Sequence, residues 1–81
     1  MKLSDWNRCC EYAAFECAEF PNISWSSYTM YDGRKGIDLH SLDDLGNIYD
    51  TVNCGVCDSF KEFKESFWRN MGLLNRKGVM N

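Results

Sequence analysis

The chain has 81 residues, a net charge of −3 and a pI near 4.9, with 44% hydrophobic and 15% aromatic residues. That apolar content argues for a core and against disorder. The acidic balance argues against simple nucleic-acid binding, which needs a basic face to displace counterions.

One domain over residues 1–81 is expected, and a chain of this size buries only about 60–65% of its unfolded surface. No apolar run approaches the ~20 residues of a membrane span, and the amphipathic N-terminus does not read as a signal peptide. The expectation is a cytoplasmic protein with reduced cysteines. Five cysteines, an odd number, also suit a secreted disulfide framework poorly.

In chain order, residues 3–20 predict a helix. Ser4 is a candidate N-cap, and Leu3, Trp6, Cys10, Ala13, Cys17 and Phe20 fall on one stripe. Asp5, Arg8, Glu11 and Glu19 lie opposite, and Pro21 ends the helix because it disfavours helical geometry in the residue before it. Ile23 to Tyr31 is rich in aromatic and hydroxyl residues, as strands are. Its apolar positions change face between Trp25 and Tyr28, which predicts a bulge near Ser26-Ser27. Asp32-Gly33 with Gly36 signals a turn. Ile37, Leu39 and Ser41 then alternate with Asp38, His40 and Leu42.

Residues 41–54 admit two readings. Gly46-Asn47 can turn a hairpin into a third strand, Ile48 to Cys54. Alternatively Ser41 caps a helix with Leu42, Leu45, Ile48, Tyr49 and Val52 on one stripe, at a cost of about 1 kcal/mol for Gly46 in mid-helix. The hairpin is preferred. A final helix follows: Ser59 and Glu62 make a capping box, and Phe60, Phe63, Phe67, Met71 and Leu74 line one face. Residues 75–81 read as a flexible tail. The sum is an α+β fold of order α-β-β-β-α, a small antiparallel sheet with both helices on one face.

Cys54-Gly55-Val56-Cys57 carries the most chemistry. Two thiols at this spacing can hold one metal ion, which makes structural zinc the expected cofactor. The same spacing serves dithiol redox chemistry when a helix N-terminus lowers one thiol's pKa. The metal reading places Cys10 beside Cys54 and Cys57, with Cys9 or His40 as the remaining ligand. In a regular hairpin, however, His40 lies about 13 Å along its strand from the position facing Cys54. Cys10 and Cys17 stand about 10.5 Å apart along a helix, too far to share an ion. Free cysteine is also among the most buried residue types, which suits Cys17.

Catalysis has little support. His40 is the sole histidine, and its neighbours Asp38 and Ser41 do not make a base–nucleophile arrangement with it. Gly33-Arg34-Lys35-Gly36 is a turn without the spacing of a phosphate loop. No enzyme is expected. A binding surface is better supported: Tyr12 and Phe15 project from the polar side of the first helix and Trp68 from the edge of the last. Asp43, Asp44, Asp50 and Asp58 gather near the second turn and the CxxC corner, where carboxylates suit an arginine-rich partner.

One acidic α+β domain of this length without a catalytic set resembles the small phage-encoded anti-CRISPR proteins. Its element order is similar to some Cas9 inhibitors of the type II group. The resemblance implies stoichiometric blocking of a Cas9-type nuclease, through its nucleic-acid channel or a recognition lobe, in the host cytoplasm. Some such proteins carry a structural zinc, which would suit Cys54 and Cys57. The order also resembles the double-stranded-RNA-binding domain in topology, but Ser59-Phe60-Lys61-Glu62 lacks that domain's basic cluster. The resulting expectation is a non-enzymatic inhibitor that binds a basic protein surface, as a monomer or weak dimer, without direct nucleic-acid or membrane contact. The alternatives are a small thiol-redox protein using Cys54 and Cys57, and a structural or homodimeric interaction domain.

Overall fold

Helix α1 spans Leu3–Cys17 and begins earlier than its capping signal suggests. Lys2 is the N-cap and gives no side-chain cap, so Ser4 lies inside the first turn. Asp5 places a negative charge there, where unpaired N–H groups favour it. The end comes three residues before the expected Phe20. Glu19 N–H donates to Glu16 O at 3.2 Å and Phe20 N–H to Cys17 O at 3.0 Å, a tightened turn that winds the helix down ahead of Pro21. This computed structural model describes the backbone of residues 1–80 and the side chains of residues 1–74.

The strands are β1 (Ile23–Thr29), β2 (Lys35–Leu42) and β3 (Ile48–Asn53), antiparallel in the order β1-β2-β3. Residues 41–54 therefore form a hairpin. Gly46 sits at φ 84° in its turn, a conformation that would strain a residue with a Cβ. The alternation along β2 is as read: Ile37, Leu39 and Ser41 are buried beneath the helices, while Asp38, His40 and Leu42 face the other way and are half-buried. No bulge occurs at Ser26-Ser27, because β1 and β2 pair without a break from Ile23↔Ser41 to Thr29↔Lys35. The irregularity lies instead between Ser41 and Leu42 against β3. The apolar residues of β1 divide between the two faces. Trp25 sits opposite Leu39 and packs on the core, while Tyr28 lies on the open face across Gly36.

Tyr28 explains that glycine. A methyl at position 36 would overlap the tyrosine ring, which crosses the central strand so that its hydroxyl reaches Asn53 on β3 at 2.9 Å. Asn53 Nδ2 also donates to Asp38 at 2.7 Å, so all three strands are joined on this face. Gly36→Ala is expected to cost about 1–3 kcal/mol by displacing the ring. The readout is the urea midpoint, and an unchanged midpoint would mean that the ring moves without loss.

Helix α2 spans Phe60–Met80. Ser59 Oγ accepts from Glu62 N–H at 3.1 Å, as the capping box requires, but Glu62 Oε2 accepts from Asp58 N–H at 3.3 Å, one residue before the expected Ser59 N–H. Phe63, Phe67, Met71 and Leu74 are buried, with Phe60 packed at their edge. The flexible tail expected over 75–81 falls outside the residues whose side chains are described. Both helices lie on one face of the sheet: α1 packs on β1 and α2, and α2 on β2 and β3. Among the described residues, no helix is long and apolar enough to cross a membrane.

The buried stripe of α1 differs from the sequence reading. Cys9, Ala13 and Cys17 form its centre, Trp6, Cys10, Tyr12 and Phe20 flank it, and Leu3 is exposed. The helix is covered on two sides. The Tyr12 flank meets α2, while Trp6 lies under the Lys35 ammonium, 5.8 Å from its ring centroid.

Candidate functional site

The CxxC sequence forms a backbone corner between β3 and α2. Gly55 adopts φ 81°, the left-handed geometry that lets the chain turn there. The Cys54 carbonyl accepts from Ser66 Oγ at 2.6 Å and from the Cys57 thiol at 3.7 Å. Asn70 Nδ2 donates to Ser66 O at 2.8 Å, which ties the corner to the second turn of α2 and beyond. Cys54 and Cys57 are buried and belong to the same core as Cys9 and Cys17. Cys57 borders a cleft of about 440 Å³ that also includes Trp6, Arg34, Lys35, Val56 and Asp58.

The four proposed ligands are not all brought together. Successive helical positions are rotated by about 100°, so Cys9 points into the core while Cys10 lies at its flank, within reach of the Lys35 charge. Cys10 is thus corrected from the centre of the buried stripe to its edge. His40 is on the open face of the sheet, opposite the cysteines. Among the described residues, no three Cys, His, Asp or Glu side chains form a group that could hold a metal ion.

Burial governs the thiols. It pushes Cys9 and Cys17 up to about 11 and Cys54 up to about 12, with neighbouring Cys10 adding to the rise at Cys9 and Cys57 to that at Cys54. Cys10 and Cys57 are also raised, again mainly by burial. A dithiol poised for exchange needs the opposite, a stabilised thiolate.

His40 has partners that the sequence did not indicate. Its Nε2 lies 2.7 Å from Ser26 Oγ on β1 and its Nδ1 2.8 Å from Thr51 Oγ1 on β3. These contacts follow from register, since Thr51 is directly opposite His40 and Ser26 is diagonal to it. The ring lies half-buried on the open polar face of the sheet, between a hydroxyl of each neighbouring strand.

The aromatic residues separate. Tyr12, expected on the polar side of α1, is turned onto α2. Its ring meets Phe60 and Phe67 edge-on at 5.6 and 5.5 Å, and its hydroxyl accepts from Trp68 Nε1 at 2.6 Å. Tyr12 and Trp68 therefore form a helix–helix clasp, from which Trp68 remains 43% exposed. Phe15 is 70% exposed beside a shallow groove with Arg8, Glu11 and Phe60.

The β2–β3 turn is the other exposed feature. Asp43 Oδ1 accepts from Leu45 N–H at 2.9 Å and from Asn47 N–H at 2.8 Å, so this carboxylate shapes the turn. Asp44 is exposed beside it, and Asp50 accepts from Thr51 N–H at 2.9 Å farther along β3. Leu45, Ile48 and Tyr49 are 87%, 56% and 51% exposed. The sequence reading identified these carboxylates but missed the apolar trio, whose hydrophobicity suggested buried positions.

The architecture is that of a small α+β domain. Comparison with protein-family models, curated proteins and solved structures finds no match to this chain.

Proposed function

We propose that this domain is a non-enzymatic binding protein that docks on a basic protein surface through the tip of its β2–β3 hairpin. The exposure of Leu45, Ile48 and Tyr49 beside Asp43, Asp44 and Asp50 carries this reading. Apolar side chains on a small domain gain little from solvent, and a rim of carboxylates gives them an electrostatic partner preference. Asp43 holds the turn from within, so the tip is offered in one shape and loses little entropy on binding. The mode of action is stoichiometric occlusion of the partner. A Cas9-type nuclease is the partner suggested by the format of the chain.

The test is a guide-loaded nuclease assay with wild-type protein and the double variant Asp44→Lys/Leu45→Asp. Neither side chain has a hydrogen bond or ion pair among the described residues, so thermal stability should change little. Inhibition is expected at equimolar protein, to weaken as salt rises, and to be lost in the variant. Equal inhibition by both forms would remove the hairpin from the mechanism. No inhibition at large excess would remove this nuclease as the partner.

A further inference from the structure

A three-stranded sheet has two free edges, and here they are guarded differently. β3 carries Asp50, follows the Asp43–Asp44 pair, and pairs with β2 through a register irregularity. β1, Ile23–Thr29, has no charged residue, proline or glycine, and keeps an unbroken register along its whole length. Charge, proline and bulges are the usual means of preventing a strand edge from pairing with another chain. β1 has none of them.

The hydrogen-bond phase shows what this edge offers. Leu42 N–H donates to Asn22 O at 2.7 Å and Met30 N–H to Arg34 O at 2.6 Å, so even-numbered residues of β1 direct their backbone groups toward β2. The groups of Trp25, Ser27 and Thr29 therefore point away from the sheet, as does the Ile23 carbonyl. Ile23 N–H is already taken by Phe20 O at 3.0 Å.

We propose that β1 pairs with β1 of a second copy of this chain, antiparallel about a two-fold axis through Ser26, to form a continuous six-stranded sheet. This is the axis that overlaps the whole of Ile23–Thr29. Trp25 of each copy exchanges both N–H···O=C bonds with Ser27 of the other, and Thr29 N–H reaches the Ile23 carbonyl. The engaged Ile23 N–H falls at the end of the ladder, where it costs least. Residues directly opposite share a face, which places Ser24 against Tyr28 and Ser26 against Ser26 on the open side. No like charges meet along this strand, whereas pairing of β3 with itself would bring Asp50 of the two copies close together.

Sedimentation equilibrium on the full chain tests the proposal with wild type, Ser27→Lys, Ser27→Pro and, on the other edge, Tyr49→Lys. Wild type is expected at twice the 9.4 kDa chain mass, dissociating on dilution. Both Ser27 variants should raise the dimer dissociation constant by about tenfold or more, equivalent to about 1.4 kcal/mol, with unchanged circular dichroism. Tyr49→Lys should dimerise as wild type. Added salt should leave the dimer intact or tighten it, because each copy carries a charge of −3. Hairpin docking on a basic partner should instead weaken. If Ser27→Pro fails to fold, Ser27→Lys decides, since its side chain is exposed and its N–H is retained. A monomeric wild type at the highest soluble concentration overturns the proposal, as does Ser27→Lys dimerising like wild type. Loss of the dimer in Tyr49→Lys alone would do the same.

Discussion

Phe67→Ala is expected to remove most of the fold's stability and to leave up to about half of the molecules unfolded at ambient temperature. Phe67 is fully buried, and its ring touches Tyr12, Phe63 and Trp68 at centroid distances of 5.5, 5.8 and 5.1 Å. Truncating such a ring removes transfer free energy and leaves a cavity that rigid neighbours cannot fill, a loss of about 3–5 kcal/mol. A small domain has roughly 5 kcal/mol to lose at the lower end of the usual range. Chemical denaturation followed by circular dichroism gives the answer. Phe15→Ala is the control, since that exposed side chain should change stability by no more than about 0.5 kcal/mol. Retention of most wild-type stability in Phe67→Ala would mean that the aromatic cluster does not carry the core.

The second large effect is a loss of stability in alkali. Buried Cys9 and Cys17 titrate at about 11 and Cys54 at about 12 in the fold, against 9.0 for an ordinary thiol. The folded state therefore keeps these protons after the unfolded chain has released its own. Their contribution to stability is intact below pH 9, falls above it, and is lost as pH rises through about 11 and then about 12. Denaturation curves collected from pH 7 upward should show that decline. Thiol modification at pH 8 should be slow at Cys9, Cys17 and Cys54 until denaturant is added. Rapid modification of all five cysteines in the native protein would contradict the burial.

These two effects also show what the sequence could convey. Helix α2 was legible because one side of it is covered, so Phe60, Phe63, Phe67, Met71 and Leu74 stand out against charged neighbours. Helix α1 was misphased because it packs against both β1 and α2. Ala13 and Cys17 are buried as expected, but Cys9 takes the central place expected of Cys10, and Leu3 is exposed. Alternation fixed the two faces of β2, yet the partners of His40 lie 14 and 11 residues away and emerge only from strand register. The CxxC spacing fits a metal clip and a chain corner equally well. Gly55 and the Ser66 hydroxyl, which shape the corner, act through backbone geometry that a list of thiols does not convey.

The Ser26–His40–Thr51 row has a property of its own. A neutral imidazole donates from one nitrogen and accepts at the other, while each flanking hydroxyl can do either. Moving the ring proton from Nδ1 to Nε2, with both hydroxyls rotating in response, leaves every heavy atom in place and every bond satisfied. The row therefore has two mirror-related wirings of opposite dipole. An approaching group that needs a donor at one end of the row, or an acceptor there, meets the same atoms in the same positions.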